Sequence, residues 1–206
     1  MSDALTDPVG SGRDGHLVER ELQSELVLQG NFLHVRRDRV VLPDGRHAER
    51  EYVRHPGAVA VLPLLDDGRI LLERQYRYPV QQVLLEIPAG KIDPGERTFD
   101  CAVRELREET GHEASEWALA GRLHNAAAYS DEFIEIWFAR ALRPGPQRLD
   151  DGEFIELISL TEAELDALAC SGRLTDAKTL IALLWLQRWR AGAWPLDWRD
   201  VSSLVA

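Results

Sequence analysis

Residues 90–112 read GKIDPGERTFDCAVRELREETGH. Within this stretch Glu105, Glu108 and Glu109 fall at offsets of three and four residues. At about 100° of rotation per residue, that spacing puts all three carboxylates on one face of a helix. Phe99, Ala102, Leu106 and Thr110 take the core-facing positions opposite, and Gly111 is a stop signal. The pattern predicts a helix from about Arg97 to Glu109. Like charges one turn apart cost a helix a few tenths of a kcal/mol. Such a cluster beside a glycine-rich loop therefore implies a cation, and a hard divalent ion with oxygen ligands, Mg²⁺ or Mn²⁺, is the natural one.

Upstream, AVAVLPLL (Ala58–Leu65) and RILLERQYR (Arg69–Arg77) are joined by Asp66-Asp67-Gly68 and read as a hairpin. LLEIPAG (Leu84–Gly90) reads as a short strand leading into the loop KIDPGE. Further upstream, SELVLQ, FLHVRRDRVVL and HAEREYV are separated by Gly30-Asn31 and Pro43-Asp44-Gly45. They predict an antiparallel meander of about three strands, too small to be stable alone. Downstream, strands are expected near Trp117–Leu123, Phe133–Ala141 and in FIELISL. Thr161 with Glu164 forms a capping box for a helix to about Ala169, and a last helix runs from Thr175 to Arg190. Strands with interspersed helices indicate a layered domain with a mixed sheet.

Composition excludes several classes. The 206 residues carry 24 Lys+Arg against 35 Asp+Glu, a net charge of -11, with 45% hydrophobic content. Nucleic acid and anionic membranes both require a positive footprint, so neither is expected as a partner. Cys101 and Cys170 form no CxxC pattern, which argues against a disulfide or zinc scaffold and for a reducing cytoplasm. No run approaches the roughly 20 apolar residues of a membrane span, and the N-terminus has no apolar signal segment. Residues 1–16, rich in Ser, Asp, Gly and Pro, are expected to be disordered. His55, His112 and His124 lack metal-ligand spacing. Trp185 and Trp189, one turn apart, read as core or dimer packing, as do Trp194 and Trp198.

Gly90, Glu96 and Arg104-Glu105-Leu106-x-Glu108-Glu109-x-Gly111, with five and seven residues between the three parts, resemble the Nudix box. His112 departs from the pattern, standing where the family usually has an aliphatic packing residue. The resemblance implies an α/β/α sandwich with a mixed sheet, preceded here by the N-terminal meander. It implies hydrolysis of a nucleoside diphosphate linked to another moiety. The layout, with EIPAGKID and TDAKTLIALL, is most similar to the ADP-ribose pyrophosphatase branch. The organisation that follows is a tail (1–16), a β subdomain that dimerises (17–55) and a catalytic domain (56–206).

In such a site divalent ions neutralise the phosphate charge, orient the phosphorus and acidify a bound water. By resemblance the Ala89 carbonyl is a main-chain metal ligand. Glu105 and Glu109 are the best side-chain ligands, with Glu108 next. Arg104, four residues before Glu108, reads as the ion-pair partner that holds the carboxylates, and Glu96 as a support for the loop. The resemblance also places an acidic general base in the loop from Leu149 to Glu153. Asp151, Glu153 and Glu156 are the candidates, and Glu153 has the alternative role of a further metal ligand. Arg77 and Arg54 are the candidate phosphate-binding cations, Arg54 by reaching a partner subunit's site in a homodimer. Tyr129, with Tyr76 and Tyr78, is a candidate for stacking on base or ribose.

The substrate expected is a nucleotide sugar. ADP-ribose pyrophosphatases generally carry a proline about fifteen residues past the box, a position taken here by Ala127. That loosens the assignment toward GDP-mannose or another nucleotide sugar. A non-catalytic nucleotide-binding Nudix domain is the reading from a different class, and the three glutamates together count against it.

Overall fold

The computed structural model describes residues 14–204. The tail expected to be disordered lies outside the described residues except for its last three, Asp14–His16, which enter a turn closed by Leu17 N–H donating to the Asp14 carbonyl at 2.8 Å. The described residues divide into two units, one made of those up to residue 55 together with 126–132, the other made of 56–125 and the described residues from 133 on.

The first unit is a three-stranded antiparallel sheet of β1 (Arg20–Gln29), β2 (His34–Val41) and β3 (His47–Arg54), in the order β1-β2-β3. The Gly30 and Pro43-Asp44-Gly45 turns set its register. Buried Asp38 organises the sheet, accepting from Ser24 and from the Tyr52 hydroxyl. The 126–132 segment joins this unit through Val53 N–H donating to the Tyr129 carbonyl at 2.9 Å.

The second unit has two sheets. One orders β10 (Ile155–Leu160), β5 (Ile70–Arg77) and β6 (Gln82–Glu86). The other orders β11 (Arg199–Asp200), β8 (His112–Leu123), β9 (Ile134–Pro144), β4 (Ala58–Pro63) and β7 (Ala89–Lys91). Within the five-stranded sheet β4 and β9 run parallel and the other pairs antiparallel, so the sheet is mixed.

Two cores explain the layering. Ala58, Ala60 and Leu62 of β4 face one core together with Ile136, Phe138, Ile70, Leu72, Leu165 and Leu186. Val59 and Val61 face the other with Phe99, Ala102, Leu106, Trp117 and Trp137. Helix α1 (Thr98–Thr110) thus covers one face of the sheet, while α2 (Glu162–Cys170) and α3 (Ala177–Arg190) belong to the opposite core. This is the α/β/α arrangement expected. Both faces of β4 are covered, which is why its sequence is continuously apolar and not alternating.

That feature also corrects the expected hairpin. The turn at Asp66–Gly68 forms, with Leu65 N–H donating to the Arg69 carbonyl at 2.9 Å. Beyond an isolated bridge between Leu64 and Ile70 the two strands part into different sheets. A strand buried on both faces pairs with β9 and β7 and leaves no edge for β5. The single strand expected over Leu84–Gly90 is likewise two, β6 and β7. Pro88 has no N–H for a ladder; its carbonyl accepts from Val61 N–H at 2.8 Å.

The turn between β6 and β7 is held from α3. Asp176 caps that helix, accepting from Thr179 N–H at 3.0 Å. The Thr179 hydroxyl accepts from Ile87 N–H at 2.9 Å, and Lys178 is ion-paired to both Glu86 and Asp176. The tryptophans are packing residues: Trp185 meets Trp194 at 5.3 Å and Trp189 meets Trp198 at 5.5 Å. Gly121 exists to admit Trp185, since a Cβ there would lie 2.8 Å from the indole.

Removing one partner of a buried ion pair leaves the other charge stranded. Lys178→Met is expected to lower unfolding free energy by about 2–4 kcal/mol, short of complete unfolding because Arg77 still holds Glu86. Urea unfolding followed by circular dichroism measures it.

Candidate active site

Helix α1 ends in a left-handed Gly111, and its N–H donates to the Arg107 carbonyl. The expected apolar face is buried, and two of the three carboxylates are buried as well: Glu105 is 9% exposed and Glu109 5%. They are covered by β7, the short strand before the helix. A Cβ at Gly90 would lie 1.9 Å from the Glu105 carboxyl carbon, so a glycine is required there for the carboxylate to pass. Ala89 N–H donates to Glu109 Oε2 at 2.8 Å. Glu108 stays at the rim.

Arg104 is the organiser of this helix face. Its guanidinium donates to both oxygens of Glu96 at 2.9 Å, to Glu105 at 2.7 Å, to Glu108 at 3.2 Å and to the Lys91 carbonyl at 3.1 Å. Glu96 also accepts from Asp93 N–H at 3.0 Å and closes the loop. The Arg104 fork, with that backbone bond, holds the Glu96 carboxyl down at about 2. Buried Cys101 donates its thiol to the Lys91 carbonyl, and burial pushes that thiol well up, as befits an inert core residue.

A fourth acid enters that the sequence reading passed over. Glu73, on β5, is 2% exposed, and its Oε1 has no hydrogen-bond partner. Burial, with the neighbouring Glu86 and Glu153, pushes its carboxyl up despite Lys178 and a contact with Glu109. Two carboxylates can share a hydrogen bond only when one of them holds a proton. Glu109 is pushed up by burial first, then by Glu73 and Glu105. Glu105 is raised by burial, against the pull of Arg104. The clue in the sequence was a lone glutamate closing the apolar run ILLE, in phase with buried Leu71.

The other expected residues divide. The charge of Glu153 contributes to the upward shifts of Glu73, Glu105 and Glu109, so the loop brings it toward them. Its carboxylate also accepts from Asp150 N–H at 3.3 Å. Asp151 is exposed at the turn, and Glu156 pairs with Arg74 across β10 and β5 at 2.5 Å. Arg77 is engaged by buried Glu86, donating from Nε and Nη2 at 2.7 and 2.8 Å. Burial raises Glu86, but Arg77 and Lys178 outweigh it and hold the carboxyl below its ordinary value. Arg54 and Tyr129 belong to the first unit, where Arg54 donates to Asp131 at 2.7 Å and Tyr129 is exposed.

Carboxylates of Glu105, Glu109 and Glu153, with Glu108 at the rim, are oxygen donors of the kind a hard divalent ion takes. As they stand, among the described residues, no three acidic, histidine or cysteine groups converge into a closed metal cage. Glu105 is turned to Arg104 and Glu109 to Ala89 N–H. The buried, unpartnered oxygen of Glu73 nonetheless fits a site that needs positive charge.

The class the structure defines is a mixed α/β/α sandwich with buried glutamates on a helix beneath a glycine. Comparison with known proteins makes it specific. Residues 53–181 match the NUDIX domain, and residues 19–53 match the nucleoside diphosphate sugar hydrolase N-terminal domain. The chain belongs to the Nudix hydrolase family. A methanol dehydrogenase activator of Bacillus methanolicus is 38% identical over 82% of this chain and 92% of its own. An ADP-ribose pyrophosphatase of Bacillus subtilis is 35% identical over 83% and 94%. The crystal structure of an ADP compounds hydrolase superposes with a TM-score of 0.76 at 26% identity, covering 84% of this chain and 95% of that one. No helix among the described residues is long and apolar enough to cross a membrane.

Glu96 yields a pH test. A carboxyl held below its unfolded value contributes stability above that value and loses it as pH falls through the folded one. The stability gap between wild type and Glu96→Gln should be full above about pH 5, on the order of 2 kcal/mol, and should close toward pH 2. Urea titrations across that range measure it.

Proposed function

We propose that the chain hydrolyses the pyrophosphate bond of ADP-ribose or a related nucleoside diphosphate sugar, giving a nucleoside monophosphate and a sugar phosphate, with Mg²⁺ or Mn²⁺ as cofactor. The observation that carries this reading is the buried acidic cluster beneath the Gly90 turn, on a chain that covers 94% of an ADP-ribose pyrophosphatase. When bound, the ions supply charge neutralisation and orientation at the phosphorus.

The chain's own residues then divide the work. Glu105, Glu109, the Ala89 carbonyl and, nearer the rim, Glu108 hold the ions. Glu153 is either a further ligand or the general base, and its charge coupling to the buried glutamates supports it over exposed Asp151. Arg104 positions the carboxylates. Arg77, oriented by Glu86, presents its remaining nitrogen to phosphate. Tyr129 and Arg54 contact the nucleotide, Arg54 in the site of a second subunit.

The homodimer in that reading forms through β1–β3. Leu22, Leu26 and Leu28 of β1 are all exposed in the single chain, and a three-stranded sheet of this size is not stable on unburied apolar residues. The cytoplasm is the matching compartment, in keeping with free cysteines at Cys101 and Cys170.

A Mg²⁺-dependent assay against ADP-ribose, GDP-mannose, ADP-glucose and NADH, reading released phosphomonoesters, tests the activity. Turnover of ADP-ribose or another nucleotide sugar is expected, and none from the folded, metal-loaded protein would reject the reading. GDP-mannose is in the panel because Ala127 stands where ADP-ribose enzymes generally carry proline. Glu109→Gln should lose at least about 100-fold in kcat with the fold retained, and near wild-type kcat would remove it from the ligands. Sedimentation at micromolar concentration should show a dimer; a monomer would contradict the role given to Arg54.

A further inference from the structure

Four carboxylates are buried in the second unit near the Gly90 turn: Glu73, Glu86, Glu105 and Glu109. Their compensation is uneven. Glu86 is held by both Arg77 and Lys178, and Glu105 by Arg104. Glu109 receives one backbone N–H, from Ala89. Glu73 stands opposite Glu86 in the β5–β6 ladder, and its Oε1 is buried with no partner. The charge of Lys178 reaches Glu73, but the ammonium group itself is committed to Glu86 and Asp176. Glu73 and Glu109 are thus two adjoining buried acids without a cation of their own. Once both are ionised, their two negative charges are what one divalent ion neutralises.

We propose that Glu73 is a member of the divalent-cation site, sharing with Glu109 an ion that enters between strand β5 and helix α1. This rests on the metal reading given above and extends it to a residue outside the Nudix-box stretch. The physical reason is desolvation: an unpaired buried carboxylate is costly, and an ion held by both groups removes that cost. A purely structural role gives no reason for an acid here. Leucine or valine would fill the same buried position on β5 without repelling Glu86 and Glu109.

The test is Mg²⁺ and Mn²⁺ binding to the full chain, by calorimetry and by Mn²⁺ electron paramagnetic resonance, for wild type, Glu73→Gln and Glu73→Leu. Both variants are expected to bind at least one of these ions about tenfold or more weakly. Their metal-free melting temperatures should equal or exceed wild type, because a buried, incompletely hydrogen-bonded acid has been removed, while the rise in melting temperature on adding metal should shrink. Metal affinity within twofold of wild type in the folded variants would overturn the role of Glu73 and leave the Glu105–Glu109 site standing. Failure of both variants to fold would also overturn it, since the acid would then be a structural requirement. A wild-type chain that binds neither ion would overturn the metal reading itself, and this inference with it.

Discussion

The structure depends on keeping charged glutamates inside a protein. A carboxylate taken out of water needs an opposite charge or several hydrogen bonds, or it takes up a proton. Around the Gly90 turn the fold meets that requirement for Glu96, Glu105 and Glu86 with Arg104, Arg77 and Lys178. It leaves Glu109 and Glu73 short of positive charge. A scaffold of two cores, a mixed sheet and a capped helix holds these groups in place, and the deficit is local to them.

Each nearby structural choice serves that placement. Gly90 has no side chain because the Glu105 carboxyl occupies the space. The turn that carries Ala89 is tied to α3 through Thr179, Lys178 and capping Asp176, so the backbone group that meets Glu109 is fixed from the opposite side of the sheet. Arg104 fixes the loop and the helix to each other. A site assembled from rigid elements in this way can hold mutually repelling groups at short range without collapsing.

Much of this was legible in the chain. The helix from Thr98 to Thr110, its glycine stop, the capping box at Thr161 and the three-stranded meander follow from periodicity and turn chemistry. The expected hairpin failed because two apolar runs joined by Asp-Asp-Gly look alike whether they pair or diverge. The distinction lay in β4 being apolar at every position. The face of α1 bearing Glu105 and Glu109 read as a cation-binding face, but its burial was not legible, because it depends on a tertiary contact with Gly90. Glu73 stayed unread for a similar reason. A single acid on a strand usually points to solvent, and the burial of Glu73 beside Glu109 is a tertiary fact that the strand's own pattern does not carry.

In the proposed reading this charge deficit is the seat of a divalent cation. Anomalous diffraction at the manganese edge from crystals grown with Mn²⁺ addresses it most directly. A peak is predicted about 2 Å from carboxylate oxygens of Glu109 and Glu73, the two buried acids left without a cation. A peak confined to the exposed carboxylates of Asp150 and Asp151, with the buried carboxylates unoccupied in an otherwise ordered site, would contradict it.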